Sequence, residues 1–159
     1  MVVLASPSFI SGHASDTAAY VAEQIDAPYM LLQKSNALGL IAKGTFQQLE
    51  EVYKEFSTAG WDGEQAVPIS KGALRYAQIF LQSFPFGIEP PEIGAEPDGS
   101  ITLEWYRSSN RVMSISINHD GWVYYAAIIG TSRRHGVDFS MIGISDDLID
   151  LISEITKGS

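Results

Sequence analysis

Residues 101–106, Ile-Thr-Leu-Glu-Trp-Tyr, and residues 113–117, Met-Ser-Ile-Ser-Ile, decide the fold. In the first, Ile101, Leu103 and Trp105 alternate with Thr102, Glu104 and Tyr106. In the second, Met113, Ile115 and Ile117 alternate with Ser114 and Ser116. A period of two puts successive side chains on opposite faces of a β-strand, so each stretch reads as a strand with one apolar face. A third strand runs from Trp122 to Ile129, and a shorter one covers Glu92 to Glu96. The breaks are turn chemistry: Pro97-Asp98-Gly99-Ser100, Ser108-Ser109-Asn110 and Asn118-His119-Asp120-Gly121. Connections this short join antiparallel neighbours, because a parallel crossover takes roughly a dozen residues or more. The expected centre is a four-stranded antiparallel meander.

Outward from the strands the period becomes helical. Ala18, Val21, Ala22 and Ile25 share a face, with Ser15 or Asp16 as cap and Pro28 as stop. Thr45 and Gln48 form a capping-box pattern ahead of Phe46, Leu49, Val52, Tyr53 and Phe56. Ser70 caps a third helix, whose face is Ala73, Ala77, Phe80 and Phe84 and which Pro85 ends. Ser145 opens the last, with Asp146 and Asp147 in the first turn, where the helix dipole favours negative charge, and Leu148, Leu151, Ile152 and Ile155 inside. Helices with apolar stripes laid on one face of an antiparallel sheet give the α+β class. The 159 residues suit a single domain spanning 1–159, with 1–14 as a weakly tied arm. Residues 29–43 are ambiguous and fit a short strand followed by a helical turn.

Composition narrows the function classes. There is no cysteine, which excludes disulfides and thiolate metal centres. Nineteen acidic residues stand against ten basic ones, a formal net charge of −9. That charge disfavours direct nucleic-acid binding, which depends on neutralising phosphates, and equally an anionic membrane. It admits a basic protein partner. No positively charged leader and no spanning apolar run is present, so a cytoplasmic protein is expected.

The search for chemistry returns little. His13, His119 and His135 have no metal-ligand spacing, and no EF-hand pattern occurs, so no metal or other cofactor is expected. No nucleophile elbow and no phosphate-binding glycine loop appears. His119 beside Asp120 reads as turn chemistry, and catalytic residues are not assigned.

What remains is a set of contact candidates. Trp61 stands between Gly60 and Asp62, either as a plug beneath the core or as an anchor for a partner, with Asp62 folding back onto backbone N–H groups. Glu104 lies mid-strand, exposed if its face is open and a site if Arg75, Arg107 or Arg111 covers it. Trp105, Trp122 and Tyr124 cluster on neighbouring strands, and the 122–129 strand is apolar on both faces, which marks either a sandwiched strand or an interface. Arg133, Arg134 and His135, in the segment 130–136 read as a loop, form the one basic cluster.

Two of these stretches carry a resemblance. Trp61-Asp62-Gly63 with Ala66, Pro68 and Ile69, followed by residues 97–105, Pro-Asp-Gly-Ser-Ile-Thr-Leu-Glu-Trp, resembles a set of small uncharacterised bacterial proteins with W-D-G-x-x-A-x-P-I and P-D-G-x-I-x-L-E-W motifs. The resemblance covers about residues 60–130 of this chain. It implies a prokaryotic or mobile-element origin and brings no reaction with it. The expected function is a non-enzymatic protein-interaction module, such as an antitoxin-like, immunity, inhibitor or accessory subunit, acting on a protein partner or as a homodimer. The alternatives are a small enzyme built from Asp62, Glu104, Arg133, Arg134 and His135, or a small-ligand sensor floored by the aromatic strands.

Overall fold

The computed structural model describes residues 43–157, which fall in a unit spanning Leu40–Ser159. The expected arm at 1–14, the expected helix around 18–25 and nearly all of the ambiguous segment 29–43 lie outside the described residues, so the expectation of one domain over 1–159 reaches beyond them as well. A helix α1 covers residues 43–55. Then follow α2 (Lys71–Gln82), β1 (Glu92–Ala95), β2 (Ile101–Ser108), β3 (Arg111–Ile117), β4 (Trp122–Ile129), β5 (Ser132–Phe139), a 3₁₀ turn (Ser140–Ile142) and α3 (Asp146–Lys157). The class is α+β. The sheet is an open antiparallel meander in the order β1-β2-β3-β4-β5.

The expected four strands are thus five. The segment read as a basic loop turns back at Gly130 and Thr131 and pairs along β4, with Ile129 opposite Ser132 and Trp122 opposite Phe139. Gly130 takes φ of 62°, the left-handed value a two-residue hairpin needs at its first position and glycine adopts without penalty. A charged strand such as this one is stable at a sheet edge, because it pairs on one side only and its charges discourage further pairing.

Register puts the large apolar side chains on one face. Ile93, Leu103, Ile115, Tyr125 and Gly136 form one row across the sheet. Trp105, Met113, Ala127 and Arg134 form the next. Ala95, Ile101, Ile117, Val123 and Asp138 form a third. Leu103, Ile115, Met113, Ile101, Ile117 and Val123 are wholly buried. The apolar stripes of α2 (Ala73, Ala77, Phe80) and α3 (Leu148, Ile152, Ile155) join the same core, together with Leu49 and Val52 of α1. Both α2 and α3 contact β2 and β3, so they cover this face.

Local chemistry sets the helix ends. The Ser70 hydroxyl accepts from the Ala73 N–H at 3.0 Å, as its N-cap position predicts. Ser145 donates to Asp138 Oδ2 at 2.7 Å, which ties the start of α3 to β5. Thr45, expected to cap the second helix, instead lies inside it and is buried, because the helical segment already includes residues 43 and 44. Among the described residues no helix is long and apolar enough to cross a membrane.

The two faces make a direct prediction. Ile115→Ala, on the covered side of the central strand, is expected to cost about 2–5 kcal/mol in urea unfolding. Its neighbour Ser114→Ala, on the other side, is expected to stay within about 0.5 kcal/mol. Equal losses would contradict the assignment of faces.

Candidate interaction surface

The uncovered face is built from the alternate residues of the same strands. Glu92, Glu104, Ser114, Ala126 and His135 form one row across it. Gly94, Thr102, Ser116, Tyr124 and Val137 form the next. Tyr106, Val112, Ile128 and Arg133 form a third, with Trp122 beside Phe139 at the far end. Large side chains stand open here: Tyr106 is 60% exposed, Val137 53%, Tyr124 47% and Trp122 46%. Trp122 leans on Phe139 with ring centroids 5.2 Å apart. The strand expected to be apolar on both sides therefore has one face in the core and the other bare among the described residues. A lone exposed apolar residue is ordinary, whereas several contiguous on one sheet face mark a contact surface.

Charge divides this face. The β1 and β2 side carries Glu92 and Glu104, and the β5 side carries Arg133 and His135; all four are exposed. Beyond β1, the Glu96 N–H donates to the Ser100 carbonyl at 2.9 Å, continuing the β1–β2 ladder. Burial pushes the Glu96 carboxyl above its ordinary value; a hydrogen bond with Ser116 opposes the shift, and the nearby charge of Asp98 adds to it.

Trp105 lies on the other side of the sheet. It is buried, its indole N–H donates to the Glu89 carbonyl at 2.7 Å, and its ring stacks on Phe84. It belongs to the core and offers no surface to a partner. Arg107, which follows it, is ion-paired with Glu89.

Trp61 and Asp62 belong to the loop between α1 and α2. Trp61 is half-buried against Phe56, ring centroids 4.6 Å apart and edge-on, and its indole N–H donates to the Val67 carbonyl at 3.3 Å. Asp62 Oδ1 accepts from the Glu64 and Ala66 N–H groups at 2.9 and 3.1 Å, closing the loop on itself as expected. These bonds, that to Glu64 first, hold its carboxyl below its ordinary value. The same loop joins the β1–β2 turn: the Val67 N–H donates to the Pro97 carbonyl at 2.7 Å. A Cβ at Gly99 would come within 3.0 Å of the Pro68 carbonyl, and φ there is 87°, so glycine is required. The W-D-G and P-D-G segments are therefore two halves of one backbone clasp.

Arg134 projects from β5 on the helix side. With Tyr125, Arg133 and His135 it lines a cleft of about 430 Å³ against Asp147, Asp150, Leu151 and Glu154 of α3. Tyr125 packs over Gly136, where a Cβ would collide with the Tyr125 hydroxyl.

The residues of the alternative enzyme site do not converge. Glu104 and His135 share a row but are separated by β3 and β4, about 14 Å at the usual strand spacing. Arg134 points to the opposite face, and Asp62 belongs to the α1–α2 loop. His119 and Asp120 pair at 3.3 Å in an exposed turn. Among the described residues no three His, Asp or Glu side chains gather as metal ligands would. The chain matches no protein-family model, no curated protein and no solved structure.

Glu96 gives a pH test. Its folded-state value lies above its unfolded one, so the folded chain holds the proton more tightly. The stability it contributes is complete below the ordinary value of 4.5 and is lost as pH rises from there through the raised value. Glu96→Gln is expected to melt higher than wild type at neutral pH and to converge with it at pH 4 or below. A variant that melts lower at neutral pH would contradict this assignment.

Proposed function

We infer that this chain is a non-enzymatic protein-interaction module that works through the open face of its sheet. The observation that carries the reading is the cluster of exposed Trp122, Tyr124 and Val137 on β4 and β5, with Tyr106 exposed farther along the same face, on a sheet whose other face packs against α2 and α3. Exposed Tyr and Trp on a rigid β scaffold supply contact area at low entropic cost, which is why such residues dominate binding hot spots. The separation of Asp62, Glu104 and His135 favours this reading over a catalytic one, because a base and its partners must lie within hydrogen-bond reach of a common substrate.

The wider setting follows the same line. The charge of −9 suits protein contacts better than phosphate contacts. In this reading the W-D-G and P-D-G segments act as structure, since the backbone bond from Val67 to Pro97 joins the α1–α2 loop to the β1–β2 turn. An accessory, inhibitor, immunity or antitoxin-like subunit of a prokaryotic system, acting in the cytoplasm, fits these features.

A photo-reactive phenylalanine analogue placed at Tyr124, and a control at exposed Lys54 on α1, tests the reading. Tyr124 is expected to cross-link to a polypeptide at native protein concentrations and Lys54 is not. Equal yields at both positions, or none at either, would refute it.

A further inference from the structure

We propose that the polypeptide on the open face is a second copy of this chain, packed sheet on sheet about a two-fold axis that runs along β3. This rests on the reading of the face as an interaction surface and names its occupant.

The argument begins with symmetry. An isologous face must be complementary to itself. Because β3 is the middle strand of five, an axis along it lays β1 over β5 and β2 over β4 of the second copy. The acidic edge, with Glu92 on β1, then meets the basic edge, with Arg133 and His135 on β5, while Glu104 on β2 lies over β4. With an axis across the strands instead, β5 would lie on β5 and β1 on β1, setting like charges together. Such juxtapositions cost affinity, so charge alone selects the first arrangement.

Side-chain size selects it again. In the row of Gly94, Thr102, Ser116, Tyr124 and Val137, the axis sets Val137 over Gly94 and Tyr124 over Thr102, with Ser116 over its own copy. In the row of Glu92, Glu104, Ser114, Ala126 and His135, it sets Glu104 over Ala126 and Ser114 over Ser114. In these two rows large residues face small ones, with Ser114 and Ser116 nearest the axis. In the third row Tyr106 lies over Ile128 and Val112 over its own copy as apolar contacts, at the usual sheet spacing of about 10 Å. Aligned sheets cross at about 30°, which displaces the edge strands by roughly one row. The register sets Glu92 level with His135, and a crossing that moves it toward the start of β5 carries it to Arg133.

The area is sufficient. Four strands of seven or eight residues and the four-residue β1, at about 3.4 Å rise and about 4.8 Å spacing, present roughly 600 Å² per copy. Two copies bury roughly 1,200 Å², the lower bound for a specific interface.

Charge reversal tests the pairing by sedimentation velocity. One variant carries Arg133→Glu with His135→Glu; the other carries Glu92→Lys with Glu104→Lys. Wild type is expected to dimerise, and each variant alone is expected to dimerise at least about tenfold more weakly. An equimolar mixture of the two is expected to form a mixed dimer, because each acidic edge then faces a basic one. All three chains should show the same far-ultraviolet circular dichroism. A self-association that either variant leaves intact, or a mixture that stays monomeric, would overturn the proposal. A monomeric wild type whose Tyr124 cross-links to a different polypeptide would overturn the second copy and leave the interaction face standing. A monomer with no cross-link would end both.

Discussion

Five residues in register, Ile93, Leu103, Ile115, Tyr125 and Gly136, cross the sheet on its helix side, and the rest of the molecule depends on that alignment. A strand has a side-chain period of two, so a slip of one residue on β3 would send Met113, Ile115 and Ile117 to the open face and Ser114 and Ser116 into the core. The wholly buried side chains of α2 and α3 would then pack against serine hydroxyls with no partners. The hydrophobic match between sheet and helices thus fixes which residues are left outside. The open face is a consequence of the core: whatever alternates with Ile, Leu and Met must stand opposite them.

Much of this could be read from the chain itself, for a stated reason in each case. Alternation in β2 and β3 and the short turns between strands are local signals, and they determine an antiparallel meander. The edge strand β5 was masked by its composition, since Arg133, Arg134 and His135 look like solvated loop. The signal that identifies it is Gly130-Thr131, a two-residue turn with glycine at the position that needs positive φ. Trp105 follows the same alternation as Ile101 and Leu103, so its burial was already implied by the spacing that made it a strand residue. The clasp between Val67 and Pro97 could not be foreseen, because it joins backbones 30 residues apart and leaves no trace in side-chain pattern. The separation of Glu104 from His135 likewise needs the strand order, which places two strands between them.

The functional surface has the same origin. Among the described residues a helix-covered sheet of five strands leaves one broad face, with carboxylates on β1 and β2, serines on the middle strand, aromatic side chains on β4 and basic residues on β5. Edge charges keep β5 from extending the sheet sideways, which directs contact to the face. The cleft between β5 and α3 is of a different character, with carboxylates of α3 opposite Arg134.

Hydroxyl-radical footprinting across a dilution series measures the central claim most directly, that this face, uncovered among the described residues, is open on each chain and closes on assembly. In dilute solution Tyr106, Trp122 and Tyr124 should oxidise readily while Trp105 stays inert, and raising the protein concentration should protect the first three together. Protection of those residues at every dilution, or full reactivity at every concentration, would contradict the account.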